Sequence, residues 1–156
     1  MKNKLYALIL FLSYLLTLFI TAQRAQATLG ESADSVASDL KTFEAARGTT
    51  MIRNGYTVQE IASDSVRVRE YVSTSGVVFG IAWNGLIHPD LTQLLGSYAN
   101  EYQEALQQTP RTPGRRSHQV KTDRVIVEKW GHMRNLQGRA YAPALIPPGV
   151  SVDEIH

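Results

Sequence analysis

Residues Ser65-Val-Arg-Val-Arg-Glu-Tyr-Val-Ser-Thr-Ser-Gly-Val-Val-Phe-Gly-Ile-Ala-Trp83 decide the fold. Val66, Val68 and Val72 share one parity, while Arg67, Arg69 and Tyr71 share the other. Such alternation is strand spacing, not helix spacing. Ser73 to Gly76 is a turn signal, and Val77–Trp83 is apolar throughout, so the stretch reads as two antiparallel strands. Alternation then sorts the side chains between two faces. Ile61, Val66, Val68, Val72, Val77, Phe79, Ile81 and Trp83 form the expected core face. Tyr56, Val58, Glu60, Arg67, Arg69, Tyr71, Val78, Gly80 and Ala82 form a mixed, wetter face. Glu70 falls by parity among the apolar residues.

Working outward, Tyr56–Ala62 alternates as well and joins this pair through Ser63-Asp64. Turns centred on those signals set Glu60 opposite Arg67, Glu70 opposite Phe79 and Arg69 opposite Gly80. Ser32–Arg47 reads as a helix, with Val36, Leu40 and Phe43 on one stripe and Gly48 beyond its end. Pro89-Asp90 opens a second helix in which Leu91, Leu94, Leu95, Tyr98, Tyr102 and Leu106 repeat at helical spacing. Residues 108–118 read as a flexible, basic loop and Val120–Trp130 as a strand. Met133 and Arg139–Ala142 pair as a last hairpin about Asn135-Leu-Gln-Gly138. Pro147-Pro148-Gly149 ends that strand, leaving 150–156 as a short tail. The expected fold is α+β: an antiparallel sheet of about five strands with two helices packed on one face.

Residues 1–27 read as a secretory signal peptide, followed by one domain over 28–156. Lys2 and Lys4 precede the apolar run Leu5–Ile20, and Ala25-Gln26-Ala27 has the small-x-small form of a cleavage site. That run is shorter than the ~20 residues needed to span a bilayer. The expected location is therefore periplasmic or extracellular, with no membrane span after cleavage. The chain carries 16 Lys+Arg and 14 Asp+Glu; losing Lys2, Lys4 and Arg24 leaves 13 against 14, a net of −1. A nucleic-acid partner is not expected on that balance. Charge is nonetheless uneven: residues 111–139 hold 8 basic and 2 acidic side chains. With no cysteine, thiol catalysis and cysteine metal sites are excluded.

Few motifs carry chemistry. His88, His118, His132 and His156 make no paired metal-ligand spacing, so neither a metal nor a cofactor is expected. No nucleophile elbow and no phosphate-binding glycine loop appears. Glu70 is the acid most exposed to perturbation, because burial would raise its pKa. The polar run Trp130–Tyr141 reads first as a hairpin. Its expected pairing brings His132, Arg134, Arg139 and Tyr141 toward Arg69 and Tyr71, giving guanidiniums beside phenols that suit a carboxylate, phosphate or sugar. Cross-strand pairing of these arginines with glutamates is the plainer reading.

Four stretches carry a resemblance: Thr28–Val36, Val68–Phe79, Pro89–Tyr98, and Gly131–Arg134 with Gly138–Gly149. Together they resemble the bacterial exported family called Domain of Unknown Function 2844. The chain departs from that pattern at Asn84-Gly85-Leu86, where Gly-Pro is expected. The resemblance implies a small exported domain without an assigned activity, and it supplies no catalytic residues. Three functions stay open. One is a non-catalytic binding or accessory domain with an envelope protein or polysaccharide partner. Another is a small hydrolase or lyase using Glu70 and His132 with Arg69 or Arg139. A third is an anion- or surface-binding module on the basic segment 111–139.

Overall fold

A computed structural model describes residues 28–32, 46–110, 114 and 116–156. Among these residues the chain forms strands β1 (Ala46–Arg53), β2 (Tyr56–Ala62), β3 (Val66–Ser73) and β4 (Val78–Gly85) in succession. It then leaves the sheet for α1 (Leu91–Leu95), a 3-10 turn (Gly96–Tyr98) and α2 (Ala99–Gln108). It returns at the far edge as β5 (Ser117–Lys121) and runs inward through β6 (Ile126–His132) and β7 (Asn135–Tyr141). The sheet order is β1-β2-β3-β4-β7-β6-β5, every neighbour antiparallel. Two meanders thus meet in the middle, where β4 pairs with β7.

The expected α+β fold of about five strands and two helices is therefore corrected. The described residues are mostly β, with seven strands and one helical segment, Leu91–Gln108. Of the expected helix Ser32–Arg47, residues 33–45 lie outside the described residues. Its ends are not helical: Ser32 bridges to Val77, and Arg47 belongs to β1. The expected strand Val120–Trp130 is two strands, because Thr122 closes a turn. Its hydroxyl and amide both bond the Val125 carbonyl. The last hairpin turns three residues earlier than expected. His132 pairs with Asn135, and Arg134 adopts a left-handed φ of 66° between them.

The helix over the core face matches its sequence signals. Asp90 caps it by accepting from the Thr92 amide at 2.9 Å. Leu91, Leu95, Ala99 and Tyr102 pack with Val68, Val72, Ile81, Trp83, Val127 and Ala140. Leu29 joins this cluster, tied down by amide bonds through Leu94 and Val78.

Phe79 is not part of it. The β3–β4 register shifts between Tyr71 and Val72, which face Gly80 and Val78. The extra residue in β4 is a bulge, and a bulge reverses alternation beyond itself. Val78 therefore joins the helix-side core, while Phe79 joins Tyr56, Val58, Tyr71, Ala82 and Tyr141 on the opposite face. The turns also sit further along than their signals suggested. Glu60 pairs with Arg69, Glu70 with Ile81 and Arg69 with Ala82.

The second face is covered instead of wet. After β7 the chain makes a 3-10 turn (Pro143–Leu145) and runs back across the sheet to a second one (Val152–Glu154). Leu145, Ile146, Val150 and Val152 pack on the aromatic residues, and Ile155 is fully buried among them. Burying one such side chain is worth about 1.5–3 kcal/mol.

Gly138 tests the register. It lies mid-strand, where a Cβ would fall 2.6 Å from both Trp83 Cε2 and the Glu128 carbonyl oxygen. Neither the buried indole nor the strand backbone can retreat cheaply. Gly138→Ala is expected to lower unfolding free energy by about 2 kcal/mol, the scale of core overpacking. Urea denaturation followed by tryptophan fluorescence measures it; an unchanged midpoint would contradict the close β4–β7 packing.

Candidate functional site

The site grows from one row across the sheet. Gln119, Glu128, Arg139, Ala82, Arg69 and Glu60 are successive cross-strand partners from β5 to β2. All six therefore face the same side, the side opposite the helix. The row is close to symmetric about Ala82. On one flank Arg139 Nε bonds Glu128 Oε2, and Gln119 Nε2 bonds Glu128 Oε1. On the other, Arg69 Nε bonds Glu60 Oε2 at 3.1 Å, and Arg67 bonds Glu60 Oε1 at 3.2 Å. Ala82 keeps the centre low, so the arginines stand two inter-strand spacings apart, roughly 10 Å.

Each guanidinium uses its inner edge on its glutamate and offers its outer nitrogen to the C-terminal segment. Arg69 Nη1 donates to the His156 main-chain oxygen at 2.7 Å. Arg139 Nη1 donates to the Val152 oxygen at 2.9 Å and the Ile155 oxygen at 3.4 Å. Tyr71 holds the same residue twice: its hydroxyl donates to the His156 oxygen at 2.8 Å and accepts from the His156 amide at 3.0 Å. Arg139 also stacks over the Tyr141 ring at 5.8 Å.

Side chains of the segment complete the fit. Ile155 descends onto Gly80, where a Cβ would come 2.8 Å from Ile155 Cδ1. Tyr56 donates to Glu154 Oε2 at 2.7 Å, while Glu154 Oε1 accepts the Ser151 amide at 2.9 Å. Burial first, and Glu154 second, push the Tyr56 phenol up to about 12. The Ser151 amide and the Tyr56 hydroxyl hold the Glu154 carboxyl below the usual range. Burial likewise raises Tyr71 and Tyr141.

The segment forms a ridge with a trough on either side. One trough, of about 370 Å³, is lined by Met51, Arg53, Tyr56, Glu60, Arg69 and Glu154. The other, of about 570 Å³, is lined by Gln119, Glu128, Trp130, Arg139, Ile155 and His156.

Of the residues singled out from sequence, Arg69, Tyr71, Arg139 and Tyr141 do meet on this face. His132 and Arg134 do not: both are exposed at the tip of the β6–β7 hairpin. His132 stands four residues along β6 from Glu128, roughly 13 Å at strand rise. Met133, expected to serve the core, is 92% exposed there. Glu70 is 1% exposed on the helix side of the sheet, with the parity of Val68 and Val72. Glu70, His132 and the two arginines therefore share no cleft. In the basic segment, Arg124 pairs with Glu101 at 2.7 Å and stacks on Tyr98, while Lys129 lies over Tyr102. Residues 111–113 and 115 lie outside the described residues. Among the described residues, no group of three or more His, Asp or Glu could hold a metal ion, and no helix is long and apolar enough to cross a membrane.

Sequence reasoning missed Glu128, Gly80, Glu154 and Ile155. Glu128 was legible as a strand acid within reach of the last hairpin. The tail residues carried no signal, since two acids before an isoleucine near a chain end are unremarkable.

Fold and site together define an open antiparallel-sheet protein whose arginine–tyrosine face holds its own C-terminal segment. The family model described as "Protein of unknown function (DUF2844)" matches residues 25–155, and the chain belongs to this family. No curated protein and no solved structure matches the chain.

One titration can be read on the other face. Trp83 Nε1 donates to His88 Nδ1 at 2.9 Å, which requires a neutral imidazole. Burial first, and Lys129 second, lower the His88 pKa. A lowered base binds fewer protons folded than unfolded, so its stabilisation is complete above about 6.5 and declines as pH falls through the folded value. The urea midpoint is expected to fall between about pH 7.5 and pH 5.5 in the wild type, and to fall less in His88→Gln. Equal slopes would remove His88 as the cause.

Proposed function

We propose that this protein is an exported, non-catalytic accessory domain that binds a short segment of a partner protein on its arginine–tyrosine face. The supporting observation is that Arg69 and Arg139, each fixed by a glutamate, donate from Nη1 to main-chain oxygens of the chain's own segment 152–156. A guanidinium held in place by a carboxylate loses little freedom when it bonds a ligand, so its hydrogen bonds contribute more to affinity. Main-chain contacts supply affinity that tolerates many sequences, and side-chain sockets supply selection. Export is the reading of the leader: Lys2, Lys4, the apolar run Leu5–Ile20 and the Ala25-Gln26-Ala27 cleavage form. A periplasmic or extracellular setting makes an envelope protein the natural partner.

The hydrolytic alternative lacks its geometry. A general base must lie within hydrogen-bond reach of the proton it takes, with its helpers in the same pocket. Glu70 and His132 meet neither condition with the two arginines. A basic docking module has less support, because Arg124 is paired with Glu101 and Lys129 lies over the Tyr102 ring.

Phage-displayed octapeptides panned against the full-length chain test the proposal. Selected peptides are expected to bind at least tenfold more weakly to the Arg69→Ala/Arg139→Ala variant, checked for folding by circular dichroism. Turnover of an ester, glycoside or phosphodiester panel that vanishes in Glu70→Gln would establish the hydrolytic reading instead.

A further inference from the structure

We propose that Ser151–His156 is a displaceable self-ligand, and that the partner presents an acidic residue followed by a β-branched aliphatic one, as Glu154–Ile155 does. This rests on the binding reading above and specifies its ligand and its control.

The contacts divide as a peptide ligand's would. Main-chain oxygens of Val152, Ile155 and His156 are met by sheet side chains, not by a neighbouring strand. Any peptide that turns as Val152–Glu154 does offers such oxygens. Two side chains then carry sequence information. Ile155 fills a socket that exists because residue 80 is glycine, walled by Phe79, Tyr71 and Tyr141. Glu154 meets the Tyr56 hydroxyl one residue earlier. A β-branched aliphatic fits the socket, and a carboxylate in front of it takes the phenol. Among the described residues the segment pairs with no strand. It is joined to β7 through Pro147-Pro148-Gly149, with Gly149 at a φ of 86°. It can therefore lift away without breaking a sheet hydrogen bond, and the flanking troughs leave room for an incoming chain.

Tethering sets the size of the effect. A short linker holds the segment at an effective concentration of about millimolar. A free copy of the same peptide must compete with it, so the wild type cannot show an apparent Kd below roughly that concentration. A chain whose own segment no longer seats shows the intrinsic affinity.

The probe is a fluorescent synthetic octapeptide of residues 149–156, titrated into the full-length wild type and into Ile155→Asp. Ile155→Asp is expected to bind it at least tenfold more tightly than the wild type. The same peptide carrying Asp in place of Ile is expected to lose that gain. Equal affinity for both chains, or no binding to a folded Ile155→Asp, overturns the proposal. Should Ile155→Asp not fold, hydrogen exchange on the wild type decides. Ile155 and His156 amides exchanging at least a hundredfold faster than those of β3 and β4 support a segment that opens alone. Exchange together with the strands overturns it. If panned octapeptides bind the wild type and Ile155→Asp alike, the binding function stands while the self-ligand falls. If neither chain selects peptides, both fall.

Discussion

The cover of the sheet's second face centres on Ile155 seated over Gly80. A seven-stranded sheet whose middle strands are apolar on both sides needs a cover for each face. The helix Leu91–Gln108 supplies one, over Val68, Val72, Ile81 and Trp83. Among the described residues nothing regular covers the other. A stretch of irregular chain does so through Leu145, Ile146, Val150, Val152 and Ile155, the last reaching the sheet because residue 80 has no Cβ. Tyr56, Tyr71 and Phe79 then meet edge-on or tilted beneath it, with ring centroids 5.8 to 6.2 Å apart.

The same requirement explains which parts of the fold were legible in the sequence. Alternation between Val66 and Val72, and again at Ile81 and Trp83, reported the helix-side face correctly, because a regular strand obeys a period of two. It failed at Val78 and Phe79, where the bulge inserts one residue and inverts the pattern. Val77–Trp83 is apolar throughout, and a strand buried on both faces reads that way. Only one face was assigned to the core, so the second cover went unseen. β1 was missed because Ala46–Arg53 shows no alternation, as an edge strand with one neighbour permits. β5 and β6 merged into one strand because the Thr122–Val125 turn has neither glycine nor proline to announce it.

The site was half legible for a related reason. Arg69, Tyr71, Arg139 and Tyr141 lie on strands whose parity could be counted, so their common face followed. The partners that orient them could not be counted, since each depends on register. Moving the β2–β3 pairing by two residues changes the acid opposite Arg69 from none to Glu60. Glu128 meets Arg139 only because β6 and β7 turn at His132–Asn135. His132 and Arg134 were assigned to the site on sequence proximity to Arg139, but a hairpin carries its tip away from its base. Composition made that stretch look reactive, and turn geometry disperses it.

Protonation is distributed over the two faces in a way that bears on control. On the ligand face the phenol of Tyr56 is held up to about 12 and the Glu154 carboxyl is held below its usual range. The donor stays protonated and the acceptor stays ionised from acid conditions to strongly alkaline ones. Both shifts favour the Tyr56–Glu154 hydrogen bond near neutral pH. His88, whose pKa burial lowers, sits on the helix side against Trp83. Under the binding reading proposed above, occupancy of the arginine–tyrosine face is set by what competes for the socket over Gly80, while acidity acts through His88 on the scaffold beneath it.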